Sequence, residues 1–319
     1  MRVDCSKAPE AVLIGQKLAL MGVPSSAGAR RTGTDGAPAA LRKAGILESL
    51  RGQRREILDF GDLHKAVFHP DAENPKEQNR NLVRGVIDAV ALQTQRASLE
   101  GAAPAVIGGD CTITIGVLAG LLSRFKNMGL IYFDGDLDLN TPEVTPSGIF
   151  DGMGLAHIVG HGSRALSHAG PRFPLLAEDC IVAVGYNTAA GWIDPYELEA
   201  FVASQIVGFP VSYVRTDPVK AAKQALGSLE GKVGKILVHF DVDVIDADEF
   251  PSVDVPHAYG LEFDKAIEAL QVFVSSPKCC GFVVTEFNAD LDEDGSFAKR
   301  LVAGLGKAFA AEPRSAAVG

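Results

Sequence analysis

The chain of 319 residues carries 40 acidic and 30 basic side chains and has a formal net charge of −10. This acidic balance argues against a nucleic-acid partner, because nucleic-acid-binding proteins usually present a basic patch. Hydrophobic residues make up 47% of the sequence, which suits a sizeable core, yet no apolar run approaches the roughly 20 residues that span a bilayer. The sequence therefore predicts a globular protein that binds neither nucleic acid nor a membrane.

The cysteines are odd in number and show no CxxC spacing; they are Cys5, Cys111, Cys180, Cys279 and Cys280. A disulfide framework is therefore not expected, and free thiols in a reducing cytoplasm are the simpler interpretation. The N-terminal residues lack the apolar segment of a secretory signal, which agrees with a cytoplasmic location. Cys180, Cys279 and Cys280 sit in apolar runs and are expected to be small core residues.

Apolar runs rich in β-forming residues recur along the chain and predict eight strands. In chain order they lie near residues 17–23, 55–60, 104–107, 129–134, 180–185, 210–214, 235–241 and 280–286. Helical patterns separate most of them, for example at 78–100, 112–125, 261–276 and 296–310. Strand–helix alternation favours right-handed crossovers and a parallel sheet with helices on both faces. Periodicity alone leaves open whether this sheet is an open layer or a closed barrel.

The chain is expected to form a single domain. No composition break marks a linker, and no internal repeat or low-complexity segment stands out. We therefore interpret residues 11–311 as one domain and expect residues 312–319 to form a flexible tail.

Polar residues follow five of the predicted strands at their C-terminal ends. These strand ends are 108–111, 134–138, 185–187, 241–243 and Glu286. In parallel α/β folds, ligands bind outside the carboxyl ends of the strands. Any one of these strand ends would be weak evidence, since a single strand-end Asp is often a helix cap or a turn residue. Together they predict a functional site.

Two of these strand ends are acidic. Asp241 and Asp243 point the same way because strand side chains alternate between faces, and Asp134, Asp136 and Asp138 do likewise while the strand geometry lasts. Five carboxylates near one point repel one another unless cations lie between them. The sequence therefore predicts a metal site with two ions.

Several motifs along the chain share one resemblance. They are residues 22–26, 33–38 with 41–45, 59–63, 108–112, 134–142, 239–243 with Asp246, and 285–288. Together they resemble the ureohydrolases, and within them the arginase-like branch, over roughly residues 17–310. The resemblance continues without gaps over 134–152 and again over 241–256.

The resemblance implies a three-layer α/β/α fold around an eight-stranded parallel sheet, assembled as a trimer or hexamer. It also implies two divalent ions, usually manganese, bridged by a hydroxide that attacks the central carbon of a guanidino or amidino substrate. Two metals lower the pKa of bound water enough for hydroxide to exist near neutral pH. Glu286 matches the residue that pairs with the substrate cation and fixes its orientation.

The metal ligands implied by the resemblance are four aspartates and two histidines. The four aspartates are present as Asp134, Asp138, Asp241 and Asp243, whereas Cys111 and Asp136 stand where the histidines are expected. A thiolate and a carboxylate can both bind a divalent ion, so all six residues are candidate ligands. Ionising both replacements would leave excess negative charge, so one metal site is expected to be weaker or softer in its preference.

Asp151 stands where the arginase pattern has a histidine proposed to shuttle the proton. A carboxyl group can take this role only if burial or neighbouring anions raise its pKa. The alternative is that Asp151 caps a helix beginning near Gly152. His257, nearer the expected pocket rim, is a second candidate proton donor, and His239 is expected to make a buried hydrogen bond.

The substrate-facing positions are mixed. Asn140 and Ser147 match positions that hold the amino-acid carboxylate in arginases. Ile149, Ala190 and Val255 replace polar residues of the arginase pattern. The resemblance therefore implies a less polar pocket that takes a modified or decarboxylated guanidino compound in preference to L-arginine.

Two functions remain open. The first is a metal-dependent hydrolase of a guanidino or amidino compound, which the intact aspartates and Glu286 favour. The second is an inactive family member that acts as a structural or regulatory subunit or binds a small molecule, which the loss of both histidine ligands favours. An unrelated metal enzyme such as a phosphoesterase is opposed by the gapless stretches.

Overall fold

The computed structural model describes residues 17–51, 55–189 and 191–310. Within these ranges the strands are β1 (Lys17–Gly22), β2 (Glu56–Asp62), β3 (Ala103–Ile107), β4 (Met128–Phe133), β5 (Ile181–Val184), β6 (Val207–Phe209), β7 (Lys235–Asp241) and β8 (Cys279–Thr285). The α-helices are α1 (Ala37–Lys43), α2 (Ile46–Arg51), α3 (Arg80–Leu99), α4 (Ile113–Leu122), α5 (Gly154–Ile158), α6 (Arg164–Ser167), α7 (Pro195–Ala203), α8 (Val211–Val214), α9 (Pro218–Ser228), α10 (Phe263–Val274) and α11 (Ser296–Phe309). No helix in these ranges is long and apolar enough to cross a membrane.

The strands form one parallel sheet in the order β2-β1-β3-β8-β7-β4-β5-β6. The sheet is an open layer with β2 and β6 at its edges, which decides between the layer and the barrel that the sequence left open. Helices pack on both faces, so the predicted three-layer α/β/α fold with an eight-stranded parallel sheet is confirmed. The predicted domain limits at 11 and 311 and the tail 312–319 lie outside the described residues.

Side-chain alternation along the central strands builds the two buried layers. In β8, Phe282 and Val284 pack with one layer, whereas Val283 between them packs with the other. Every residue of β8 is buried, as expected for a central parallel strand covered on both faces. A near-continuous apolar run is therefore the sequence signal of this strand.

One predicted strand is wrong. The run at 210–214 was expected to be a strand, but the strand β6 ends at Phe209 and residues 211–214 form the short helix α8. The cause is Pro210, which has no N–H to donate to a strand ladder and is well suited to the start of a helix. The backbone N–H of Val214 instead donates to the Pro210 carbonyl at 3.1 Å.

Two glycines bring the chain from β3 to the edge of the sheet. Gly108 and Gly109 have φ values of 83° and 88°, a left-handed conformation that glycine adopts without the steric cost of a side chain. A Cβ on Gly108 would lie 2.6 Å from Pro38 Cδ. This tight turn places Cys111 over the carboxyl ends of the strands.

Candidate metal centre

Four neighbouring strands deliver the central residues of the candidate site. Cys111 follows β3, Glu286 follows β8, Asp241 ends β7 and Asp134 follows β4, and these strands lie side by side in the sheet. All four side chains are buried. The sheet order therefore gathers residues that are up to 175 positions apart in the chain.

Cys111, Asp134, His239 and Asp241 form what we call the thiol cluster. The Cys111 Sγ atom lies 2.7 Å from Asp241 Oδ2, 3.7 Å from His239 Nε2 and 3.8 Å from Asp134 Oδ2. His239 Nε2 lies 3.2 Å from the same Asp134 oxygen. One ligand atom from each of the four residues falls within 4.8 Å of all the others, so a single ion can reach them all.

His239 was expected to make a buried hydrogen bond, and this is confirmed. Its Nδ1 atom lies 2.8 Å from Thr114 Oγ1, and its ring stacks on Tyr132 with centroids 4.2 Å apart. Burial lowers the pKa of His239 to about 3. The imidazole is therefore neutral at ordinary pH, which is the form that binds metals.

Asp136, Asp243 and His257 form what we call the imidazole cluster. His257 Nε2 lies 3.1 Å from Asp136 Oδ2 and 3.6 Å from Asp243 Oδ2. Burial lowers the pKa of His257, but its hydrogen bonds to the two carboxylates outweigh burial and raise the pKa to about 10. The Asp136 side chain is 22% exposed, so this cluster lies nearer to solvent than the thiol cluster.

Asp138 lies apart from both clusters. The backbone has φ = 50° at this residue, since β4 ends at Phe133 and the expected alternation of Asp134, Asp136 and Asp138 does not extend past it. The Tyr132 hydroxyl donates a short hydrogen bond to Asp138 Oδ2. Asp138 is therefore positioned beside the centre, with one oxygen already occupied by a protein donor.

Asp151 faces Cys111 and does not cap a helix. It opens a 3-10 turn without a side-chain cap, and its Oδ1 accepts the backbone N–H of Cys111 at 2.8 Å. Burial and the neighbouring Asp110 raise the pKa of Asp151 well above the ordinary carboxyl value. A carboxyl group whose pKa is raised in this way is suited to donate a proton.

Glu286 is the least satisfied acid of the site. It is 1% exposed, and neither carboxylate oxygen has a hydrogen-bond partner. Its ligand atom lies within 4.8 Å of those of Cys111 and Asp151. Burial, followed by the charges of Asp151 and Asp241, raises the pKa of Glu286 well above its ordinary value. Both oxygens of this buried carboxyl group can therefore accept hydrogen bonds from a bound ligand.

The predicted substrate-facing residues are less buried than the two clusters' aspartates Asp134, Asp241 and Asp243. Asn140 is partly buried and its Oδ1 atom has no partner. Ser147 is exposed, and its Oγ accepts the Ile149 N–H at 3.3 Å. Val255 is partly buried, and Ala190 lies outside the described residues.

Comparisons with known proteins agree with this geometry. A family model described as the arginase family matches residues 16–310. The chain is 28% identical to the arginase of Bacillus caldovelox over 92% of this chain and 97% of that one. The structure of that arginase covers 93% of this chain and 99% of its own, with a TM-score of 0.85 and 27% identity. The arginase structure from Bacillus cereus has the same coverage, a TM-score of 0.83 and 28% identity.

The chain belongs to the arginase family. Membership supports a hydrolase with a metal-binding site, as the motifs predicted. The remaining question for this arginase-family chain is whether its altered donors still fit divalent cations.

The site fits cations because its negative charge is otherwise unpaired. Burial and neighbouring carboxylates raise the pKa values of Asp134, Asp138 and Asp241 well above the ordinary carboxyl value. Within the described ranges, the ion pairs to the two clusters come from His257 and from no lysine or arginine, since the His239 imidazole beside Asp134 is neutral. Divalent ions between the carboxylates would remove this repulsion. The sulfur, nitrogen and oxygen donors are all ordinary metal ligands.

Sequence reasoning missed three residues of this arginase-family site. They are Thr114 and Tyr132, which contact His239 and Asp138, and Glu197, whose buried carboxylate accepts the Leu139 N–H at 3.0 Å. Burial and then Asp136 raise the pKa of Glu197 to about 8. The register of β4 against β7, which pairs Tyr132 with His239, is the signal that could have revealed Tyr132.

Proposed function

We propose that this chain is a metal-dependent hydrolase that cleaves a C–N bond of a guanidino or amidino compound and releases urea or a relative of urea. The observation that carries the proposal is the buried, unpartnered carboxylate of Glu286 beside the thiol cluster. A guanidinium group is planar, always charged, and donates paired hydrogen bonds that match a carboxylate. Membership of the arginase family supports a guanidino or amidino group as the ligand of this carboxylate.

Two divalent ions belong to the proposal. The thiol cluster and the imidazole cluster would each hold one, and the resemblance implies manganese. Ions bound there would supply Lewis-acid chemistry that makes water a competent nucleophile near neutral pH. The four aspartates Asp134, Asp138, Asp241 and Asp243 are the donors that this chain shares with the family pattern.

The protein residues orient the substrate and move the proton. Glu286 pairs with the guanidinium and turns its central carbon toward the clusters. Holding the substrate in this orientation lowers the entropic cost of the hydrolysis. Asp151, whose pKa burial and Asp110 raise, donates a proton to the departing amine. Its Oδ1 remains fixed by the Cys111 N–H, so the acid keeps its position during the transfer.

The far end of the substrate is expected to be less polar than an amino acid. Asn140 and Ser147 remain as polar contacts, but Ile149 and Val255 offer only apolar surface. We propose a modified or decarboxylated guanidino compound as the substrate. We also propose a homo-oligomer, a trimer or hexamer as the resemblance implies, in the cytoplasm.

The test is urea release by the purified full chain, loaded with divalent ions, from a panel of guanidines with and without the amino-acid carboxylate. The proposal expects turnover of at least one guanidine, with the decarboxylated or modified compounds preferred. A wide preference for L-arginine would overturn the substrate class. Loaded protein that releases urea from no member of the panel would overturn the hydrolase.

A second candidate, an inactive family member that binds a small molecule or a partner subunit, has one observation in its favour. The Tyr132 hydroxyl donates to Asp138 and the Cys111 thiol to Asp241, so protein protons satisfy two of the family carboxylates. Tyr132→Phe discriminates between the candidates. If the chain is an enzyme, Tyr132→Phe frees Asp138 and changes both the metal affinity and the turnover of the protein. If the chain is inactive, the variant changes only the stability of the fold and shows neither metal binding nor turnover.

A further inference from the structure

The thiol cluster offers donors that a carboxylate-rich site does not. It combines one sulfur, one imidazole nitrogen and two carboxylate oxygens, all buried. We propose that Cys111, His239, Asp134 and Asp241 form a four-coordinate site for a zinc-class ion, with His239 as a ligand. His239 lies outside the six ligand positions that the resemblance implies. This inference depends on one part of the proposed function, namely that a divalent cation binds at the thiol cluster.

The distances in the thiol cluster fit a tetrahedral arrangement. Ligands bound to zinc at 2.0–2.3 Å lie roughly 3.3–3.8 Å apart when the geometry is tetrahedral. Two of the measured separations, at 3.7 and 3.8 Å, fall within this range, and a third, at 3.2 Å, lies just below it. The fourth, from Cys111 Sγ to Asp241 Oδ2, is 2.7 Å, because here the thiol proton points at the carboxylate. When the sulfur binds a cation, that proton leaves to solvent.

His239 is oriented as metal-binding histidines are. Such histidines hold one ring nitrogen with a protein hydrogen bond and present the other to the ion. Thr114 Oγ1, 2.8 Å away, holds Nδ1, and we assign the ring proton to that nitrogen. The Nε2 lone pair then faces Cys111 Sγ and Asp134 Oδ2. Stacking on Tyr132 fixes the plane of the ring.

The donor set sets the preference for the ion. Thiolate and imidazole ligands suit zinc and cobalt, whereas carboxylate and water ligands suit manganese and magnesium. The imidazole cluster offers two carboxylates and one nitrogen, which suits a harder ion. The two clusters therefore discriminate between metals within one centre.

The test titrates Co²⁺ into the metal-stripped full chain and records the absorption spectrum. Direct sulfur ligation produces a thiolate-to-cobalt charge-transfer band in the near ultraviolet, together with the strong visible bands of tetrahedral cobalt. Cys111→Ser should abolish the charge-transfer band, and Thr114→Val, which only releases Nδ1, should weaken cobalt binding about 10- to 100-fold. Cys180→Ser is the matched control, since it removes a thiol in the turn that precedes β5, away from the thiol cluster, and should leave the spectrum unchanged.

Several outcomes separate this inference from the proposed function. Cobalt that binds without a charge-transfer band would overturn the ligand set, as would a band that survives in Cys111→Ser. Unchanged cobalt affinity in Thr114→Val, with the fold verified by circular dichroism, would overturn the role of His239. A band that behaves as expected in a protein that hydrolyses no guanidine would support the ligand set and count against the proposed function.

Discussion

The two clusters of the proposed centre differ in how an imidazole accompanies the residue that stands at a histidine position of the family pattern. In the thiol cluster, Cys111 stands in the histidine's place and His239 supplies an imidazole from the next strand but one. The result is buried and rich in neutral donors. In the imidazole cluster, Asp136 stands in the histidine's place and His257 supplies an imidazole from a distant loop. The result is more open and is held by an ion pair.

An imidazole lies within reach of the aspartates in each cluster, although neither stands at the histidine position of the family pattern. The His239 imidazole is neutral, whereas His257 is held by its hydrogen bonds to Asp136 and Asp243. A comparison of motifs position by position therefore finds both histidines missing, although the folded site contains two imidazoles. The difference between the clusters lies in what accompanies the imidazole, a thiol in one and a carboxylate in the other.

The largest expected effect concerns Glu286, the buried and unpartnered carboxyl group beside Cys111 of the thiol cluster. Glu286→Gln should lower kcat/KM for a guanidine by at least about 30-fold, because losing one partner of a buried charged pair costs about 2–5 kcal/mol. The same change should raise the thermal midpoint of the free protein, since an unpartnered buried carboxylate destabilises the fold. Steady-state kinetics and calorimetry measure the two effects.

Glu268→Gln, at an exposed position on α10, is the control and should change neither quantity. If Glu286→Gln leaves kcat/KM intact, then Glu286 does not receive the substrate cation.

The next effect tests compensation in the imidazole cluster. Asp136→His restores the family residue but removes the carboxylate that His257 contacts at 3.1 Å. We expect manganese affinity, measured by titration calorimetry, to fall about 10- to 100-fold. Adding His257→Val should recover part of that loss, because the two changes together remove a paired interaction. Asp248→His, at an exposed position of the segment between β7 and α10 that carries His257, is the control.

Stronger manganese binding in the single variant would contradict this account. It would mean that Asp136 is a weakened replacement for histidine and that His257 does not compensate for it.

A smaller effect, on the pH dependence of stability, comes from Glu197. This buried acid lies near Asp136 of the imidazole cluster, whose charge helps to raise its pKa. Its pKa is raised from 4.5 to about 8 in the folded protein, so the folded state binds more protons than the unfolded state between these values. Stability must therefore fall as pH rises through this window, by up to about 1.4 kcal/mol per pH unit. Urea unfolding across this range should show the slope in the parent chain and a reduced slope in Glu197→Gln. Equal slopes would mean that Glu197 does not titrate in this way.

The smallest effect concerns the substrate's far end. Ile149→Asn restores a polar side chain at a position that the arginase pattern uses for the amino-acid carboxylate. One added hydrogen bond to a charged group contributes about 1.5–3 kcal/mol, so the ratio of kcat/KM for L-arginine to that for a decarboxylated guanidine should rise roughly tenfold or more. Ile149→Val keeps the surface apolar and should leave the ratio unchanged. If Ile149→Asn leaves this ratio unchanged, then residue 149 does not contact the far end of the substrate.

The sequence predicted the layers of the fold and the aspartates because both follow from local pattern. Buried parallel strands read as apolar runs, and the acids directly after β4 and within β7 and its following turn stand at the sheet edge where ligands bind. The approach of His257 to Asp136 spans 121 residues and depends on how a loop folds back, which no local pattern encodes. The position of Asp138 could not be predicted because it depends on where β4 ends. The helix α8 was missed because the effect of Pro210 on the apolar run was not recognised.

The most direct test of the difference between the clusters is metal content. The full chain is dialysed against excess manganese with one equivalent of zinc per chain, then freed of loosely bound ions and analysed by elemental mass spectrometry. The account predicts one zinc and one manganese per chain in the parent protein, and selective loss of the zinc in Cys111→Ser. Retention of no ion, or of manganese at both clusters with the zinc left in solution, would contradict it.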